Sequence, residues 1–389
     1  MSAIRITKKM NENNHMNNRQ AKLISAAALF IFGLSLGLFV SIPSKPALVA
    51  DNLKFDEQEA TVRAIKKVSP AVVSIDVYEN IKAPSQGSGS TLSITEERKE
   101  KVGSGTGFLI SADGLLLTNK HVIQVDDASK AEYKVILQNG KQYYAQLIGK
   151  DPLNDLAILK IFDKNLPFVE LGDSDKLTPG MSVIAIGNAL GVYQNSVTKG
   201  IVSGLNRDII ASDQAGSPEN LGNVIQTDAE INFGNSGGPL IDLNGKLVGI
   251  NVAVDASGSS IGFAIAVNDA KPVIKSAREV GRIVRPRLGV RYVMLTQDIA
   301  REKKLPLTSG ALVDSNGTGL PAVATSSPAE KAGIKAGDII TEANGVKVDG
   351  RNTLLSITQK LKPGSTLNLK IWRKGQVLKL AVILDEFKQ

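Results

Sequence analysis

The sequence predicts a mostly β chain: two six-stranded barrels, then a small α/β domain, all preceded by an apolar helix. Three observations carry this. About twelve short apolar segments between residues 71 and 267 are divided by Gly, Asn and Asp turns, the spacing of a barrel or sandwich. After Arg285-Pro286 the pattern restarts, with a short helical segment between strands. Residues 23–42 (LISAAALFIFGLSLGLFVSI) contain no charge. With 42% hydrophobic and 22% charged residues, the 389-residue chain can bury a real core.

The apolar run comes first. Twenty residues of helix span about 30 Å, the thickness of a bilayer's hydrocarbon core. Arg5, Lys8, Lys9, Arg19 and Lys22 precede it, opposed only by Glu12, and Lys45 alone follows closely. The positive-inside rule places residues 1–22 in the cytoplasm and the rest outside, with 23–42 as a transmembrane anchor in the cytoplasmic (inner) membrane. A signal peptide cleaved near Ala50 is the alternative, but its apolar core would be shorter. Residues 43–58, with Pro43 and Pro46, read as a linker.

Residues 59–282 carry the strand pattern. Segments 71–78, 105–111, 114–119, 133–138, 142–150 and 155–161 make six strands, and 182–188, 196–205, 223–228, 238–243, 246–254 and 262–267 six more. Residues 81–102, Gly/Ser-rich and then charged, read as a long exposed loop, and 206–222 as a second insertion. Residues 268–281 read as a helix begun by Asn268 and ended at Gly281.

The segment Gly234-Asn235-Ser236-Gly237-Gly238-Pro239-Leu240 carries chemistry. Glycines around a serine permit a tight turn that aims backbone N–H groups into one small volume. A nucleophilic Ser236 needs such groups, those of Gly234 and Ser236, to hold a developing oxyanion. It also needs a base. The chain has two histidines; His15 precedes the anchor, which leaves His121 in Thr118-Asn119-Lys120-His121. An imidazole, with an ordinary pKa near about 6.5, suits a base at neutral pH, so activity should rise as pH passes about 6–7. Asp155, at the mouth of an apolar strand, is the carboxylate to orient His121; Asp151, before Pro152, is its rival and reads as a turn cap.

The order His, Asp, Ser is that of the chymotrypsin-type fold. GTGFLISADGLLLTNKHVI, DLAILKI and GNSGGPL resemble the three signature segments of the HtrA (Deg) serine proteases. The resemblance runs from about residue 60 to the C-terminus. It implies a trypsin-like double barrel over 59–282 and a PDZ domain over 285–389. With an anchor and a single PDZ domain, the layout resembles the DegS-like arrangement.

Two positions depart from digestive trypsin-like enzymes. Asn235 stands where those carry an Asp that pairs with the N-terminus freed by zymogen cleavage, so no cleavage activation is expected. The resemblance implies control by loop ordering instead, with 206–222 as a candidate sensor loop. Glu230, six residues before Ser236, falls at the base of the substrate pocket by spacing; an acid there would favour Lys or Arg at P1. The resemblance implies small aliphatic P1 residues, a pocket from Ile250, Val252 and Val254, and Glu230 turned to solvent or a neighbouring loop.

In the C-terminal domain, Leu288, Gly289 and Val290 look like a PDZ carboxylate-binding loop. SPAEKAGIKAGDIITEANGVKVDG (327–350) supplies a short helix, a strand and an Asn344-Gly345 turn, and 361–376 a last strand and hairpin. Such domains bind C-terminal peptides by strand addition.

The absence of cysteine excludes disulfides, thiol catalysis and thiolate-bound zinc. The net charge of +8 is in part local to the N-terminus, and no basic-aromatic constellation reads nucleic acid. The mechanism requires no metal or organic cofactor. The expected function is a serine endopeptidase acting on unfolded, regulatory or membrane proteins outside the cytoplasmic membrane; the alternative is a proteolytically silent peptide sensor or chaperone. A homotrimer is implied by the resemblance.

Overall fold

The computed structural model describes residues 56–84, 95–125, 130–189, 193–212, 218–232, 234–252, 261–315, 317 and 319–387. The expected anchor 23–42, most of the linker and Val254 lie outside these residues. Among the described residues no helix is long and apolar enough to cross a membrane.

Strand patterning does not predict the first element, a helix at Glu57–Val68. Asp56 caps it by accepting the Glu59 N–H at 3.1 Å, acids sit in its first turn and Lys66 and Lys67 in its last, as the helix dipole favours. It buries Ala60, Ala64 and Val68, one per turn.

Six strands then close an antiparallel barrel in the order β1-β2-β3-β6-β5-β4. They are β1 (Val72–Pro84), β2 (Thr95–Leu109), β3 (Leu115–Thr118), β4 (Ala131–Leu137), β5 (Gln142–Lys150) and β6 (Ala157–Lys160). The expected loop at 81–102 is mostly strand: Ala83 pairs with Glu96 and Tyr78 with Lys101, so β1 and β2 run on as a two-stranded ribbon. Ion pairs along it, such as Lys99–Glu132 and Lys101–Asp76, replace the apolar alternation that marks a barrel strand.

The second sheet contains β7 (Glu170–Leu171), β8 (Ser182–Ala189), β9 (Tyr193–Ser212), β10 (Pro218–Thr227), β11 (Pro239–Ile241), β12 (Lys246–Val252) and β13 (Gly262–Ala266). Pairing of β11 with β12 closes β8 to β13 into a second six-stranded barrel, and β7 adds in parallel to β12. The expected insertion at 206–222 is likewise largely paired, as β9 and β10 continue past the barrel. The helix Val267–Val280 follows and ends at Gly281 in the left-handed region. Asn268 does not cap it; its amide donates to Asp173 at 2.8 Å, and Ala266 holds the cap position.

Beyond the helix, β14 (Pro286–Arg287) pairs with β21 (Asp385–Glu386). A five-stranded path orders β15 (Tyr292–Met294), β16 (Ala311–Val313), β17 (Ile339–Ala343), β19 (Thr366–Arg373) and β20 (Gln376–Ile383), with β18 (Val346–Lys347) on β17. Ser327 caps the helix Pro328–Lys331 through the Glu330 N–H, while the Glu330 carboxylate takes the Ser326 N–H. A separate apolar cluster centred on Ala311, Ile340, Leu367 and Ile371 forms this domain's core.

Arg285 joins the two parts. Its side chain is fully buried and grips Asp151 with two bonds, of 2.9 and 2.6 Å. A third reaches the Asp269 carbonyl at 3.2 Å. The Asp269 carboxyl accepts from Asn223 at 2.8 Å and is pushed up to about 6 by burial, against the pull of the Asn223 bond and Arg285; Asp175 raises it slightly and Lys360 lowers it. A carboxyl whose folded pKa lies above its unfolded value weakens the fold as pH rises from about 4 to 6. Asp269→Asn should therefore melt higher than wild type at pH 8. The gap should close by about pH 4, in paired calorimetric scans.

Candidate active site

The segment after β3 and the turn before β6 meet at a hydrogen-bonded histidine–aspartate pair. His121 Nδ1 stands 2.5 Å from Asp155 Oδ2, and the His121 backbone N–H donates to Asp155 Oδ1 at 2.9 Å. Asp155 is 2% exposed and Asn119 fully buried. The Asn119 amide donates to the Asp155 carbonyl at 2.7 Å, so ring, carboxylate and both backbones are tied together. Asp151 opens the same turn. It accepts the Leu153 N–H and the Asn154 amide besides holding Arg285, while Asp155 makes the bonds to His121.

Ser236 comes from the second barrel, on the turn between Asn232 and β11, and is 3% exposed. Gly234 and Gly237 adopt φ of 112° and 81°, values open to glycine. At Gly237 close approach adds to this: a methyl there would stand 2.2 Å from the Thr106 carbonyl, 2.4 Å from Thr118 Oγ1 and 3.1 Å from Asn119 N. The turn bearing Ser236 thus rests against the segment leading into His121. Thr106 N–H donates to the Ser236 carbonyl at 3.2 Å and its hydroxyl to the Gly234 carbonyl at 2.5 Å.

Asn235 is buried, and its side chain is held by its own loop. Its amide donates to the Glu230 carbonyl and its oxygen accepts the Asn232 N–H, both at 3.0 Å. Glu230 is exposed, with its carboxylate accepting from the Asn232 amide at 2.6 Å. Ile250 and Val252 are buried on β12.

Asn251, which the sequence reading passes over, braces the turn from behind. Its N–H donates to the Gly238 carbonyl at 2.9 Å, and its carbonyl accepts the Gly237 N–H at 3.0 Å. Its buried amide lies 3.4 Å from the carbonyls of both Asn235 and Pro239. A lone polar residue inside the apolar run of β12 is the signal that marks it.

In the C-terminal domain Leu288, Gly289 and Val290 form the turn into β15. Gly289 has φ 87°, and a methyl there would meet the Ser327 side chain at 2.2 Å, so only glycine fits. Val290 bridges Val323 through bonds made by the flanking Gly289 carbonyl and Arg291 N–H. In such a pair the Val290 N–H points to the opposite side.

Residues 105–250 match the family model of a trypsin-like peptidase domain, and residues 286–384 that of a PDZ domain. Fold and site together define a trypsin-like serine peptidase that carries a PDZ domain. The chain is 36% identical over 337 residues to the putative serine protease HhoB of Synechocystis (82% of this chain, 78% of that one). It is 37% identical over 386 residues to the periplasmic pH-dependent serine endoprotease DegQ of Escherichia coli (94% and 78%). Among solved structures, the HtrA-type protease AlgW with decapeptide matches at a TM-score of 0.63 and 32% identity, over 85% of this chain and 99% of that one. The chain belongs to the HtrA family of serine proteases and is a serine endopeptidase.

Proposed function

We propose that the chain cleaves misfolded or regulatory proteins outside the cytoplasmic membrane, with Ser236 as nucleophile, His121 as general base and Asp155 as its orienting partner. The observation that carries this is the doubly bonded His121–Asp155 pair, its carboxylate buried, with the glycine-flanked turn of Ser236 packed on the same segment. Ser236 Oγ attacks the peptide carbonyl as His121 takes its proton. Asp155 stabilises the imidazolium, and the N–H groups of Gly234 and Ser236 hold the oxyanion. His121 then returns the proton to the leaving amine, and water releases the acyl group by the reverse sequence.

Small aliphatic side chains fit the P1 position. Glu230 is tied to Asn232 at the surface, while buried Ile250 and Val252 offer an apolar wall. Asn235 is neutral and bound within its loop, which supports activation by loop ordering rather than by a freed N-terminus. C-terminal peptides would add a strand beside β15, with the terminal carboxylate on the N–H groups of Leu288, Gly289 and Val290. The decapeptide named with AlgW supports a peptide ligand. A homotrimer and an anchor at 23–42, N-terminus inside, complete the reading, and the periplasmic naming of DegQ supports the compartment.

The test is casein cleavage by the full chain, with and without peptides ending in an aliphatic carboxylate. Cleavage that rises with peptide is expected. A peptide that binds without any cleavage appearing would leave a sensor or chaperone in place of the protease.

A further inference from the structure

Resting on the reading of Ser236 as nucleophile, we propose that Thr106 is a positioning residue that sets the nucleophile turn in register with His121 across the two barrels. Thr106 lies near the end of β2, in the first barrel, and is fully buried. Three of its polar groups act at once. Its carbonyl accepts the Thr118 hydroxyl at 2.7 Å, on the strand that ends three residues before His121. Its N–H donates to the Ser236 carbonyl at 3.2 Å. Its hydroxyl donates to the Gly234 carbonyl at 2.5 Å. A single residue therefore links the strand that delivers the base to both residues whose N–H groups would hold the oxyanion.

The hydroxyl matters most where the turn is least fixed by itself. Gly234 adopts φ 112°, and glycine has no side chain to restrict the rotation of the peptide planes on either side of it. An outside bond to its carbonyl fixes the plane between Gly234 and Asn235, and with it the direction of the chain entering Ser236. Loss of that bond lets the reacting oxygen and the oxyanion donors drift from His121. A displacement on the order of 1 Å is enough to slow such reactions about 100-fold. These bonds set the geometry of the reacting groups, so the effect is expected in kcat. A purely structural threonine would lower stability and leave the kcat of the folded fraction intact.

The experiment compares wild type, Thr106→Val, Thr106→Ser and Ser236→Ala in the full chain, by fluorescein-casein kinetics, by labelling rate with a fluorophosphonate and by thermal unfolding. Valine keeps the shape and removes the hydroxyl; serine keeps the hydroxyl. Thr106→Val should lower kcat about 10- to 100-fold with KM within about twofold, and slow labelling by the same factor. Thr106→Ser should stay within about threefold of wild type. Wild-type kcat in Thr106→Val, a Ser variant as slow as the Val variant, or a change in KM alone would overturn the proposal. If Thr106→Val does not fold, Thr118→Val releases only the bond that holds Thr106, and kcat should fall about 3- to 10-fold; an unchanged kcat there overturns it too. Labelling or cleavage that survives Ser236→Ala would overturn the nucleophile reading itself, an outcome distinct from any result at Thr106.

Discussion

Ser236→Ala is expected to lower kcat for casein by about 10⁵- to 10⁶-fold while leaving binding of casein intact, because nucleophile and base act as a unit. Asp155→Asn should cost about 10⁴-fold, for a reason visible in the hydrogen bonds. In wild type one carboxylate oxygen accepts the His121 backbone N–H and the other accepts from Nδ1. An amide has one acceptor. If the asparagine oxygen keeps the backbone N–H, its NH₂ group faces Nδ1, which must then present a lone pair. The ring proton is forced to Nε2, the nitrogen that should take the proton of Ser236. The ring stays in place and its protonation is wrong. The double variant should therefore be no slower than Ser236→Ala alone, as shared residual activity requires. Additive losses in single-turnover assays would show that Asp155 acts elsewhere.

Much of this was legible in the sequence because the barrel strands have one face in the core. Period-two alternation and turn residues mark them, and the strands of both barrels fall on the expected segments. The ribbon formed by the outer parts of β1 and β2 was not legible. Arg98 and Lys99, successive residues on opposite faces of β2, are both exposed, and a two-sided polar strand has no pattern to distinguish it from a loop. The helix Glu57–Val68 hides for a related reason, since its buried stripe is made largely of alanine. The His, Asp and Ser segments could be found because each sits in a motif of unusual composition. Thr106 and Asn251 act through backbone partners far away in sequence, and only the fold shows which atoms they hold. Arg285 is the extreme case. A basic residue before a proline reads as surface, yet its partner Asp151 lies 134 positions away and both are sealed from water.

That pair yields the largest expected effect on stability. Asp151 has no other cation within the bonds described; its remaining partners are the Leu153 N–H and the Asn154 amide. Arg285→Ala would leave a carboxylate in a dry site with its counter-charge gone, which costs about 3–5 kcal/mol. Neutralising both members should cost less, because no uncompensated charge remains. Asp151→Asn combined with Arg285→Met should therefore melt above Arg285→Ala alone, although it carries one more substitution. The loss should also reach catalysis. Asp151 and Asp155 share a single tight turn, closed by the Asp151 N–H on the Leu156 carbonyl, so a displaced Asp151 displaces the carboxylate that holds His121. Arg285→Ala should thus lose activity at temperatures where circular dichroism shows it still folded, with kcat falling before KM moves. Full activity in the folded variant would confine Arg285 to joining the two domains. A melting temperature equal to wild type would mean that water reaches Asp151 once the guanidinium is gone.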